Sequence, residues 1–244
     1  MHVISLGYFC SVAEGIEKMG LRSASYPFDW VISDFRGVIQ AINNHFENLL
    51  EYEQLYQSKA HSGRYQNMEY GISFFHDFNP YQSLQEQLPD VQRKYSRRIE
   101  RFYESVSEPT LFIRYISDED KINGTSKELL WIEENYELIM QTIKQFNEDN
   151  DILFIANEGV VSDTIQIYNV PRDENDTVSR DPIPANSELY TRFQNIACPD
   201  KAENIKRYSN RIREKNRLLN RLKIKLISRY KKIFLKKYIH HRQF

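Results

Sequence analysis

Cysteine is almost missing from this chain: its 244 residues include only Cys10 and Cys198. Two thiols cannot form the disulfide framework of a secreted mini-domain, which fits a reducing cytoplasm. Long apolar runs are missing too. No stretch approaches the roughly 18 to 20 residues of a membrane span. The N-terminus lacks a basic segment followed by an apolar one, since Gly7, Cys10 and Glu14 interrupt it, so export is not expected. Cys and His share no ligand-like spacing. The nearest pair, His240 and His241, is adjacent and poor for chelation from a helix, so neither a metal nor a cofactor is expected. Internal repeats and low-complexity tracts are absent.

What is present is an ordinary globular composition, 41% hydrophobic and 27% charged, long enough for one good-sized core. The formal charge of -1 hides a division. Residues 201–244 carry 16 Lys and Arg against Glu203 and Glu214, or +14, leaving 17 bases and 32 acids, or -15, in residues 1–200. The reading is an α/β domain over 1–200 and a separate basic tail over 201–244.

"HVISLG" reads as a buried strand ended by Gly7, and "SVAEGIEKMG" as a helix stopped by Gly20. From Phe35 to Leu50 the apolar spacing predicts one amphipathic helix. "RYQNMEYGISFFHDF" predicts one or two strands, with Gly71 at a bulge or turn. "VQRKYSRRIERFYESV" predicts a helix, "PTLFIRYI" a strand, "SKELLWIEENYELIMQTIKQF" a helix capped by Thr125 or Ser126, and "DILFIAN" a strand. "IQIYNV" adds a further strand, "PRDENDTVSRDPIPAN" a mobile surface loop and "SELYTRFQNIA" a short helix. Alternating helices and nearly continuous apolar strands predict a mostly parallel central sheet flanked by helices, a Rossmann-like or esterase-like three-layer arrangement, with a C-terminal basic helix.

Cys10 follows the first strand and precedes a helix, where N-terminal amides stabilise a thiolate. Cys is also a common small core residue. A nucleophilic thiol needs a base, and of six His residues His76 stands out, set among aromatics in "ISFFHDF". His2 is terminal, His45 sits in the polar stretch "INNHF", His61 in a polar segment, and His240 and His241 in the tail. Asp29 in "YPFDWV" is the candidate to orient the imidazole, or alternatively to cap a helix or bond an Arg. Asp77 is the other candidate, although strand alternation would point it away from the partner of His76. Arg114, Asn157 and Asp77 are candidate substrate-binding residues. The first two end strands at the carboxyl edge where ligands of parallel sheets collect.

"SLGYFCSVAEGIEKMGLRSASYPFDWVIS", "FFHDF" and "RRIERF…TLFIRY" resemble a bacterial domain family of unknown function described as papain-like cysteine peptidases, over about residues 2–157. The resemblance implies Cys10 as nucleophile, His76 as base and an acidic third member. It also implies a papain-like fold, with the nucleophile on a long helix against an antiparallel sheet, whereas the helix–strand alternation favours the parallel one. Similar strand–Cys–helix starts resemble acyltransferases of capsular polysaccharide assembly. The functions in view are thus a thiol-dependent hydrolase acting on an acyl or peptide substrate, an acyltransferase in cell-surface polysaccharide assembly, or a non-catalytic docking module.

In the tail, Ile205, Tyr208, Ile212, Leu219, Leu222, Leu226, Tyr230, Ile233 and Phe234 recur at three- and four-residue steps among Lys and Arg. That pattern suits an anionic membrane surface or a protein partner over residues 205–240, or packing on the acidic body. Nucleic acid is disfavoured because no binding fold accompanies the charge. The expected location is cytoplasmic, at the inner face of the membrane if the tail docks there.

Overall fold

The computed structural model describes residues 1–59, 61–173 and 178–240. Four strands form a wholly parallel sheet: β1 (His2–Ser5), β6 (Thr110–Tyr115), β9 (Asp151–Asn157) and β10 (Ile167–Val170), in that spatial order. Their registers pair His2 with Thr110, Leu111 with Asp151, and Ile167 with Phe154. Alternate residues enter two cores. Ile4, Phe112 and Phe154 face one core, and Val3, Leu111, Ile113, Leu153 and Ile155 the other. Burial on both faces explains the unbroken apolar runs.

Between β1 and β6 come α1 (Cys10–Lys18), β2 (Val31–Ile32), α2 (Phe35–Asn43), β3 (Leu55–Gln57), β4 (Tyr65–Asn67), β5 (Ser73–Phe74) and α3 (Leu84–Val106). β2, β5, β4 and β3 form a small antiparallel sheet. After β6 come the short pair β7 (Lys121–Ile122) and β8 (Thr125–Ser126), then α4 (Lys127–Glu134) and α5 (Tyr136–Lys144). After β10 come α6 (Pro182–Ala185), α7 (Ser187–Gln194) and α8 (Lys201–His240). α1, α6 and α7 contribute Val12, Ile16, Ile183, Leu189 and Phe193 to one core. α2 to α5 contribute Val38, Phe102, Leu129 and Ile139 to the other. The mixed α/β domain with its helix-flanked parallel sheet is therefore the architecture the sequence predicts.

Several boundaries differ for local reasons. The helix expected over 35–50 stops at Asn43, because His45, Phe46 and Asn48 all take positive φ. The helix expected from Val91 starts at Leu84, driven by a reciprocal cap between Ser83 and Glu86 that tolerates Pro89 in the second turn. "SKELLWIEENYELIMQTIKQF" breaks at Asn135, and Ser126 is its cap, accepting from the Leu129 N–H at 3.1 Å. In the "PRDENDTVSRDPIPAN" loop, residues 174–177 lie outside the described residues, and Pro182–Ala185 is helical.

Candidate functional site

The link from β1 to α1 is a sharp left-handed turn. Gly7 has φ +79° and Tyr8, a non-glycine, has φ 54°. A Cβ at Gly7 would lie 2.6 Å from Ser33 Oγ in a backbone conformation that already strains a side chain, so glycine is favoured. Phe9 occupies the cap position without a side-chain acceptor, and Cys10 is the first residue of α1. The sulfur thus sits where first-turn N–H groups lack intrahelical partners. Beside it, the buried Ser11 Oγ has no hydrogen-bond partner among the described residues. Cys10 itself is half-buried and in no disulfide. Burial pushes its thiol pKa up and Glu14 adds to the rise, against a smaller lowering by the Cys10 backbone N–H.

The expected base is carried by a loop, not a strand. β5 ends at Phe74, so His76 is in the following loop, exposed, with its ring 4.9 Å from that of Phe75. The alternation argument for Asp77 therefore lapses. Asp77 turns inward instead, bonded to Lys94 and to the Tyr95 hydroxyl at 3.0 Å, with Arg98 Nη1 at 3.9 Å. Asp29 is buried and accepts from Arg22 Nη2 at 2.7 Å and the Tyr26 N–H at 2.9 Å. Burial pushes the Asp29 carboxyl pKa up, with Arg22 and the Tyr26 amide pulling it back. Arg22 Nη1 also reaches Glu17 at 3.3 Å. Glu17 lies seven residues, about 10 Å, along α1 from Cys10. Asp29 is therefore anchored at the far end of that helix, on an arginine rather than an imidazole. Among the described residues no hydrogen bond joins Cys10, His76 and Asp29. Of the other imidazoles, His2 meets Glu108 at 3.1 Å, His45 meets the Tyr103 hydroxyl at 3.3 Å and His61 flanks Phe75.

Arg114 and Asn157 do reach the carboxyl edge, but as internal ties. Fully buried Arg114 donates Nε and Nη2 to Glu128 at 2.8 Å each, Nη1 to Leu6 O at 3.0 Å and Ser33 Oγ at 2.9 Å, and Nη2 to Ser33 O at 2.8 Å. All five guanidinium donors are used, leaving none for a ligand. Asn157 accepts from the Tyr115 hydroxyl at 2.6 Å and donates to Asp118 at 2.9 Å. Burial pushes the Tyr115 hydroxyl up to about 12.

Sequence reasoning missed Ser33, whose Oγ receives both Arg114 and the Tyr8 N–H, the latter at 3.3 Å. It also missed a cleft of about 550 Å³ walled by Tyr8, Ser33, Arg36, Arg64, Lys127 and Trp131. Only the Tyr8–Cys10 spacing links that cleft to the thiol in sequence. No group of three or more His, Cys, Asp or Glu able to hold a metal occurs among the described residues, and among them no helix is long and apolar enough to cross a membrane.

A parallel α/β domain with a thiol opening the helix after its first strand is the class defined by this architecture. A family model described as "Putative papain-like cysteine peptidase" matches residues 1–157, and the chain belongs to that family. An uncharacterized protein of Acanthamoeba polyphaga mimivirus is similar to it, 34% identical over 175 residues, covering 63% of this chain and 77% of the viral one. No solved structure matches.

Proposed function

We propose that the domain is a thiol-dependent hydrolase with Cys10 as its nucleophile. The observation carrying this reading is the position of Cys10 as first residue of α1, behind the left-handed Gly7–Tyr8 turn. Family membership agrees with it. In the reaction Cys10 Sγ forms a bond to a carbonyl carbon while the carbonyl electron pair moves to oxygen, near the first-turn N–H groups of α1. Collapse breaks the bond to the leaving amine or alkoxide, which takes up the thiol proton. Water then cleaves the thioester and restores the thiol.

The finer proposal assigns His76 as the carrier of that proton. It requires the imidazole on the loop after β5 to lie within proton-transfer reach of the sulfur in the substrate complex. Asp29, committed to Arg22, then acts by holding the 22–30 segment. The test compares Cys10→Ala, His76→Ala and Cys198→Ala for hydrolysis of peptide and ester substrates. Loss in the first alone supports a thiol reaction without His76, loss in the first two supports the pair, and no loss in the first rejects the reading. Attack of a sugar hydroxyl on the same thioester, forming an ester and returning the proton to the Cys10 sulfur, would be acyl transfer, read as product formed only with a glycan acceptor.

A second reading, a non-catalytic domain with a structural Cys10, draws on the raised thiol pKa and the absence of a bonded imidazole among the described residues. It expects Cys10→Ala to leave cellular function intact.

A further inference from the structure

The described ties between α8 and the body lie at the start of the helix. Asn204 Nδ2 donates to Gly20 O at 3.1 Å, Arg211 Nη1 meets Glu17 at 2.7 Å, and Lys201 O and Ile205 pack over Gly20. Every described side chain from Arg213 to Leu226 is exposed, with Leu218 58%, Leu219 47%, Leu222 56% and Leu226 56% exposed. The helical backbone continues to His240, so at 1.5 Å per residue it reaches roughly 40 Å past the last held turn.

Two properties coincide on this projecting rod. Leu219, Leu222 and Leu226 are spaced by three and four residues and share one side. Residues 215–244 hold 11 Lys and Arg and no acid. We propose that α8 beyond Ile212 lies on an anionic lipid surface, its leucines at the acyl boundary and its cations on headgroup phosphates. A lipid surface accommodates both properties at once. Pairing with the same helix of a second copy would set cation against cation, with no carboxylate from residue 215 onward to offset it. A nucleic-acid backbone would engage the charge and leave the leucines in water. This inference does not depend on the chemistry of Cys10.

The experiment co-sediments the full-length protein with phosphatidylcholine vesicles, with and without phosphatidylserine. Retention on the anionic vesicles should exceed that on pure phosphatidylcholine by at least about tenfold and fall with added salt. Two variants on the exposed helix separate the terms, Leu219→Ser/Leu222→Ser/Leu226→Ser and Arg217→Gln/Arg221→Gln/Lys223→Gln, each checked for unchanged helicity. Both should lose about tenfold of the retention. Equal retention on the two vesicle types overturns the proposal, as does wild-type retention by either variant. A concentration-dependent dimer without vesicle retention, dissolved by the leucine variant, also overturns it and gives the face to a second copy.

Discussion

Arg114 and Glu128 meet through two parallel hydrogen bonds, both 2.8 Å, with the arginine fully buried. The guanidinium joins β6 to the end of β1 through Leu6, to the residue after β2 through Ser33 and to the first turn of α4. It packs 5.0 Å from the Phe35 ring and 5.7 Å from that of Tyr8. This ion pair therefore holds the carboxyl edge on which the Gly7–Tyr8 turn rests.

Removing one partner should strand a buried charge. Arg114→Met and Glu128→Leu are each expected to lower unfolding free energy by about 3–5 kcal/mol, read as a shift in the urea midpoint. The double variant Arg114→Met/Glu128→Leu should recover part of that loss, since no unpaired charge remains. Additive losses in the double variant would contradict this role.

Gly7→Ala meets two penalties, a positive φ and a Cβ 2.6 Å from Ser33 Oγ. The expected cost is at least about 1–2 kcal/mol from the left-handed backbone alone, read by the same midpoint shift. An unchanged midpoint would mean that the turn relaxes without harm.

The resting Cys10 thiol should be a poor anion at neutral pH. Burial, with Glu14 adding, raises its pKa, so its thiolate fraction at pH 7 falls below that of an ordinary cysteine titrating near about 8.5. Alkylation of Cys10 by iodoacetamide should therefore climb with pH beyond about 8.5 before levelling, and Glu14→Gln should move the curve to lower pH. A plateau already reached at neutral pH would indicate a pre-formed thiolate–imidazolium pair.

The sheet was legible because its signals are local. "LFIRY" and "LFIAN" are apolar on both faces, and Ser126 stands three residues before the N–H it caps. The site was less legible because its partners are remote. Arg114 reads as a strand-end cation until Leu6, Ser33 and Glu128 converge on it from distant parts of the chain. Asp29 was recognisable as a desolvated acid needing a partner, and that partner is Arg22. The strands expected within "RYQNMEYGISFFHDF" are present as β4 and β5, but β5 ends at Phe74, so alternation does not reach Asp77, which bonds Lys94 and Tyr95 instead.

The most direct test of the central claim is the intact-protein mass after exposure to a peptide-derived acylating electrophile at neutral pH. The account predicts one adduct, on Cys10 and absent from Cys10→Ala, because the substrate-like reagent is held at the first turn of α1, even though iodoacetamide labels the resting thiol slowly at the same pH. Equal labelling of Cys198, or an adduct that survives Cys10→Ala, would contradict it.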